Sequence, residues 1–347
     1  MKVKTEADKK STDILVVRQH NQIGDMLCSL TLYKAIKTKY PDSQITLVAA
    51  KTNYEIPFFD INPYIDRVLI FDKSSVKAIF NFLKNLRDRK YTFGFVPSTI
   101  KISTTSHIIN FISGAKNRVG VKSIDGKVNK SHILLNVKSD FLWKNTHQSE
   151  RNLQVANLIN CNISENSRHL IKLNSSDSDL DFAKNFISSY FPDRTKNIVA
   201  LHPGAGKKSN TWDSNNYIKL IKDIYTELNC YILITSGPTD EIIINHIHSE
   251  LTKANIDFML LTNTSIKKLA AILPMVDLYI TNDTGTMHIA GYSCTKMVAL
   301  FGPTNPLEWA PKGNNQNYIK SATGNINDIN PEEVFMFVKT SLLKNNR

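Results

Sequence analysis

Nowhere in the 347-residue chain do apolar residues run uninterrupted for about 18 positions, so no segment reads as a membrane-spanning helix. The opening MKVKTEADKKSTD is polar, with no apolar stretch and no small-residue cleavage site, which argues against a secretory leader. Cysteine is scarce: Cys28, Cys161, Cys230 and Cys294 lie far apart without a C-x-x-C pair. That spacing excludes a zinc knuckle and a disulfide-dense scaffold, and reduced thiols in a cytosolic protein are expected. Also missing are a G-x-G-x-x-G after the first strand, a P-loop consensus, a solenoid period and any low-complexity tract.

What is present is ordinary globular composition, 41% apolar and 21% charged, with length enough for two cores. Lys and Arg number 43 against 31 Asp and Glu, a net +12. The excess is one-sided. Residues 1–150 hold 24 basic and 13 acidic side chains, a net +11, whereas residues 151–347 hold 19 and 18. A positive field concentrates acidic ligands, so the first half is expected to meet an anion, but charge alone does not choose among nucleic acid, anionic lipid and phosphorylated sugar. The basic residues are scattered singly and no nucleic-acid motif is present, which ranks a nucleic-acid surface low. A nucleotide-dependent oxidoreductase lacks its glycine fingerprint.

The order of patterns is strand, loop, helix, repeated. Ile14–Val17 is a β-branched run, and Met26, Leu27, Leu30, Leu32, Tyr33 and Ile36 follow at helical spacing. Tyr40-Pro41-Asp42-Ser43 stops that helix, and Ile45–Ala49 reads as the next strand of a parallel βαβ unit. Further strands are expected at 68–71, 92–96 and 119–121, with a helical stripe over 76–88. An Asn, Ser and Asp-rich stretch at 160–181 marks a linker, after which strands at 198–201, 231–234, 258–261, 278–281 and 297–301 alternate with helices. The expected division is 1–172 and 173–347, with room for the C-terminal helix to pack back on the N-terminal domain.

In open parallel sheets ligands sit beyond the carboxyl ends of strands, which directs attention to four loops. His20-Asn21-Gln22-Ile23-Gly24-Asp25 leaves the first strand; Asp25 reads equally as a cleft carboxylate or as an acid complementing a helix start. His202-Pro203-Gly204-Ala205-Gly206-Lys207-Lys208 suits close approach of a phosphate to backbone N–H groups. Asn282-Asp283-Thr284-Gly285-Thr286-Met287-His288 opens a helix with a hydroxyl and an imidazole in its first turn, a diphosphate site or a capped turn with a satisfied histidine. Phe301-Gly302-Pro303-Thr304-Asn305-Pro306 reads alone as a rigid turn.

Taken together, RQHNQIGDMLCSLTLYKAIKTKYPDSQITLV, HPGAG followed by TW, and TSIKKLAAILPMVDLYITNDTGTMHIAGYSCTKMVALFGPTNPLEW resemble glycosyltransferase family 9, the ADP-heptose:lipopolysaccharide heptosyltransferases. The likeness runs from about 13 to about 312. It implies the α/β GT-B fold, with two Rossmann-like parallel-sheet domains facing a central cleft, donor on the C-terminal domain and acceptor on the N-terminal one. It implies inverting transfer of a heptose or related sugar from an ADP-activated donor to an acidic lipopolysaccharide inner-core glycolipid. No cofactor, no metal and no nucleic acid is implied, and the expected location is cytoplasmic, peripheral at the inner membrane. A family member with another donor or acceptor, or a non-catalytic nucleotide-binding protein, are the alternatives.

Carried over by position, the resemblance casts Asp25 as general base on the acceptor hydroxyl. Arg18 and Gly24 fall on the acceptor side. Asp283, Thr284, Gly285 and His288 match donor diphosphate and sugar contacts, Thr264 lies beside the adenine, and Asp240 or Glu241 near the ribose. Gly204, Lys207 and Lys208 complete the donor set. The family's lysine two residues before the tryptophan is Asn210 here, and Lys207 or Lys208 stand as candidates to reach its place.

Overall fold

The computed structural model describes residues 12–19, 22–50, 61–168 and 171–343. The polar opening before Thr12, and His20 and Asn21 of the first loop, lie outside the described residues. The chain packs as two compact units: residues before Gln22 with Cys28–Ile171, and Gln22–Leu27 with Lys172 onward.

In chain order the first unit is built from β1 (Asp13–Val17), α1 (Ile23–Leu27, grouped with the second unit), α2 (Leu30–Lys39), β2 (Gln44–Ala50), β3 (Arg67–Phe71), α3 (Val76–Leu86), β4 (Phe93–Val96), α4 (Thr104–Ile112), β5 (Asn117–Ile124), β6 (Lys127–Val128), β7 (Val137–Phe141), α5 (Gln148–Asn157) and α6 (Glu165–Arg168). Its sheet runs β3-β2-β1-β4-β5-β6, with β7 also paired to β5; only the β5–β6 pairing is antiparallel among those described. Ile14, Leu15 and Val16 are fully buried, as a strand covered on both faces requires. α3 and α4 start on serine caps, Ser75 accepting the Ala78 N–H at 3.1 Å and Ser103 the Ser106 N–H at 3.2 Å. Phe82, Leu86 and Ile109 from these helices meet Leu15, Val48 and Val96 of the sheet in one core.

The second unit continues with α7 (Asp177–Tyr190), β8 (Ile198–His202), α8 (Ser214–Leu228), β9 (Tyr231–Ser236), α9 (Glu241–Lys253), β10 (Met259–Thr262), α10 (Ile266–Ile272), β11 (Leu278–Asn282), α11 (Gly285–Tyr292), β12 (Met297–Phe301), α12 (Pro306–Trp309), β13 (Gln316–Lys320) and α13 (Pro331–Leu343). Its sheet order is β10-β9-β8-β11-β12-β13, parallel throughout.

Two features depart from the sequence reading. The first helix breaks at Cys28 and Ser29, and its opening turn packs with the second unit because the bare Cα of Gly24 accepts a ring from α11. β7 (VKSDF) and β13 (QNYIK) are strands despite few apolar residues, because the open edges of β5 and β12 supply their hydrogen bonds. Within the second unit α13 buries Val334, Phe335, Val338 and Leu342 in the core beside α8. No helix among the described residues is long and apolar enough to cross a membrane.

Candidate functional site

The second sheet reverses its winding between β8 and β11, and the carboxyl ends of those two strands are where a doubly wound sheet holds ligands. One fully buried side chain ties them together. Asn282, the last residue of β11, donates through Nδ2 to the carbonyls of Pro203 at 2.7 Å and Gly204 at 3.2 Å. Its Oδ1 accepts from the Trp212 N–H at 3.3 Å and the Tyr217 hydroxyl at 3.1 Å. Both ends of the glycine-rich loop are thereby pinned, and every hydrogen-bonding direction of a buried amide is used.

The same loop is braced from β9. The Asp240 carboxylate accepts the Gly237 N–H at 2.7 Å and lies 3.7 Å from His202 Nε2. It presses on Gly204 so closely that a Cβ there would meet it at 2.1 Å, which is why only glycine fits. Burial lowers the His202 imidazole below the ordinary histidine value, with the Asp240 charge opposing. Asp240 therefore serves as a loop brace at the position the resemblance assigns to the ribose. Glu241 beside it is exposed at the start of α9, and Thr264 is half-buried in the turn after β10.

Asp283 joins three loops. Asn210 Nδ2 donates to its carboxylate at 2.9 Å and to its carbonyl at 3.2 Å, and Thr304 from the loop after β12 also bonds the carboxylate. Burial raises the Asp283 carboxyl above the ordinary aspartate value, while the Thr304 bond and the Lys207 charge pull it down. Lys207 and Lys208 are both exposed on the rim of the glycine loop, and Lys207 is the one whose field reaches Asp283. Thr284 is the N-cap of α11 with an extended backbone, and Gly285 begins the helix. Backbone N–H groups of a first helical turn have no partner within their own helix and carry its positive dipole end, so this turn suits a diphosphate.

α1 packs against that helix. An added Cβ on Gly24 would come within 2.5 Å of the His288 ring, and one on Gly285 within 3.1 Å of Ile23. Asp25, next along α1, is buried at 3% exposure. His288 is buried against Gly24, and its ring meets that of Trp309 edge-on at 6.0 Å between centres. Burial holds its imidazole down at about 4, so at neutral pH it is an uncharged hydrogen-bonding ring. Asp25, Gly24, His288, Gly285 and the Asp283 turn thus belong to one packed unit.

Arg18 stands in the first unit. Its guanidinium donates to the Pro97 carbonyl at 2.9 Å, Asn152 Oδ1 at 3.3 Å and Thr99 Oγ1 at 3.5 Å, bridging the ends of β1 and β4. Sequence reasoning gave no role to Asn282, His202 or Tyr217. The available signal was a polar residue at the end of an otherwise apolar strand, which in a buried sheet demands partners.

The family profile Glycosyltransferase family 9 (heptosyltransferase) matches residues 79–336. A lipooligosaccharide heptosyltransferase 2 of Campylobacter jejuni is 32% identical over 182 residues, 52% of this chain and 56% of that one, so the match spans about half of either protein. Among solved structures, the ADP-heptose lps heptosyltransferase II of E. coli superposes with a TM-score of 0.78 at 20% identity, over 97% of this chain and 100% of that one. The E. coli heptosyltransferase WaaC, solved with ADP, gives 0.72 at 15% identity, over 95% and 100%. These likenesses show the fold, the α/β GT-B type with two parallel-sheet domains.

Proposed function

Because the chain belongs to glycosyltransferase family 9 and is a glycosyltransferase, we propose that it moves a heptose from an ADP-activated donor onto a lipopolysaccharide core-type acceptor, with inversion at the transferred carbon. One observation carries the donor half of this reading. The ends of β8, β9, β11 and β12 converge on a helix start whose supporting amides, Asn282 and Asn210, are committed to the protein and hold the turn ready for an anion. The matched relatives are heptosyltransferases by name, and WaaC was solved with ADP, which favours an adenine nucleotide.

In the proposed reaction the Asp25 carboxylate takes the proton of the acceptor hydroxyl as that oxygen bonds to the sugar. The bond to the diphosphate breaks on the opposite face, and negative charge grows on the leaving group. Thr284, the N–H groups after Gly285 and the Lys207 ammonium stabilise that charge, Lys207 standing in for the lysine that Asn210 replaces. His288 contributes a neutral hydrogen bond to the sugar or diphosphate, Thr264 flanks the base, and Glu241 is nearer to solvent for the ribose than the committed Asp240. Lys208 and Gly204 shape the phosphate rim. Arg18 serves the acceptor side by holding the strand ends of the first unit, and Gly24 by letting α1, which carries Asp25, lie against α11. The enzyme works in the cytoplasm, in peripheral contact with the membrane that carries its acceptor.

The test is calorimetry of ADP and UDP with wild type, Asp283→Ala and Lys207→Gln, followed by mass analysis of transfer products. Tighter binding of ADP than UDP, weakened in both variants, and a heptose-sized product support the reading. Equal affinity in all three proteins places the donor elsewhere.

A further inference from the structure

The positive excess is far more localised than the halves of the chain suggest. Residues 73–134 hold twelve Lys and Arg against two Asp, a net +10. One of those acids, Asp88, is held by both guanidinium nitrogens of Arg67 at 2.8 Å.

The fold of the first unit brings α3, α4 and the turn Lys130–Leu134 of this segment into one layer, while Lys122 of β5 is paired with Asp140 at 2.9 Å. α3 and α4 cover the same side of the sheet. Arg87 Nε at the end of α3 donates to the Ile112 carbonyl of α4 at 3.1 Å. Arg118 Nε donates to the Leu134 carbonyl at 2.7 Å, and its guanidinium sits 5.3 Å from the centre of the Phe111 ring, which brings the turn Lys130–Leu134 alongside α4.

The outer side of this layer is apolar where a water-facing surface is usually polar. Val76 is 85% exposed, Phe80 67%, Phe111 52% and Ile133 75%. Val76, Phe80 and Lys84 follow at four-residue spacing and form one stripe, apolar leading into basic. At the C-terminal ends of α3 and α4 an open bay of about 610 Å³ is lined by Arg87, Arg89, Lys90, Lys116, Tyr91 and Ser113. Of its cations Arg89 is paired with Asp13 at 2.9 Å.

Exposed aliphatic and aromatic side chains among cations fit a surface that is both greasy and negative. A nucleic acid would use the cations and aromatic rings but leave Val76 and Ile133 in water. We propose that this face docks on an anionic phospholipid bilayer, with Val76, Phe80, Phe111 and Ile133 entering the headgroup region and the basic bay taking lipid phosphates. The proposal locates the membrane contact of the function argued above and rests on that reading for its purpose alone.

The experiment is co-sedimentation of the full chain with vesicles of phosphatidylcholine alone or mixed with phosphatidylglycerol, with neither donor nor acceptor present, so the result is independent of the transfer assay. Wild type binds the mixed vesicles, is released by salt, and ignores the neutral ones. Phe80→Ser with Phe111→Ser, Lys77→Gln with Lys84→Gln, and Lys90→Gln with Lys116→Gln each weaken binding on the order of 10-fold. Met336→Ser, an exposed apolar position in α13 of the second unit, leaves binding unchanged. All altered side chains lie on the surface, and unchanged melting temperatures check that the variants fold. No binding to mixed vesicles, equal binding to neutral ones, wild-type binding by all three pairs, or tighter capture of single-stranded DNA than of vesicles overturns the proposal.

Discussion

At the switch point of the first sheet a charged side chain closes the strand ends, and at that of the second a neutral one does. Arg18 reaches from the end of β1 to Pro97 and Thr99 beyond β4, and Arg151 adds bonds to the carbonyls of Thr99, Trp143 and Thr146. Asn282 makes the equivalent bridge from β11 to the loop after β8 without bringing any charge. A guanidinium satisfies only acceptors, so it suits a cluster of carbonyls, whereas an amide links a donor and an acceptor and leaves the local potential to Lys207, Asp283 and the helix start. Equivalent backbone joints are therefore compatible with opposite electrostatic settings, and the chemistry of each unit follows from its loops rather than from its sheet.

The largest effect expected concerns the carboxylate that the second unit draws out of the N-terminal sequence. Asp25→Asn keeps its shape but loses the proton acceptor, so turnover falls on the order of 10² to 10⁴-fold with nucleotide affinity retained. Steady-state rates within a few-fold of wild type would reduce Asp25 to a helix-start acid. Next, Asn282→Ala strands two carbonyls, an N–H and a hydroxyl in the interior and costs about 4 kcal/mol, read from urea denaturation. Arg18→Met, which removes charge and donors together, costs about 2 kcal/mol in the same measurement; an order reversed between the two would break the comparison.

Acid acts through imidazoles that burial holds below the ordinary value, His107 in the first unit and His202 and His288 in the second. The unfolded His288 imidazole takes a proton near the ordinary value of 6.5, the buried one only at about 4. Between those values the unfolded state binds the extra proton, so stability is complete above 6.5 and falls by up to about 3 kcal/mol as the pH drops to 4. His288→Gln makes that slope shallower by the share of this one group, His107 and His202 supplying the same sign, and denaturation of the two proteins at pH 7 and pH 4.5 detects the difference. The smallest effect is steering. Raising salt lowers the bimolecular rate for an acidic acceptor by about 3-fold and changes donor capture less, because the excess charge sits in the first unit. Separate initial-rate fits for the two substrates check this, and a salt effect confined to the donor would contradict it.

Much of the fold was legible. Ile14–Val17, Ile198–Leu201 and Leu278–Thr281 are β-branched or apolar runs that a sheet covered on both faces requires, and the structure makes each a central strand. The edges were not: QNYIK carries one buried residue, and only the free edge of β12 makes it a strand. The donor turn was visible as small residues before a helix. Its supports were hidden, because Asn210 and Asp283 stand 73 residues apart and nothing local in either pairs an amide with a carboxylate.

By itself the sequence determined the alternation of strands and helices, the glycine-bearing loops at strand ends, the family and the one-sided charge, since each depends on residue type and near neighbours. Tertiary structure alone decided that α1 leaves its own unit to lie against α11, that Asp240 braces Gly204, that Asn210 meets Asp283, and that Arg87 and Arg118 draw α3, α4 and the turn Lys130–Leu134 together. Those outcomes depend on which distant surfaces can close over a buried polar group or a bare Cα, and that is settled only when the whole chain packs.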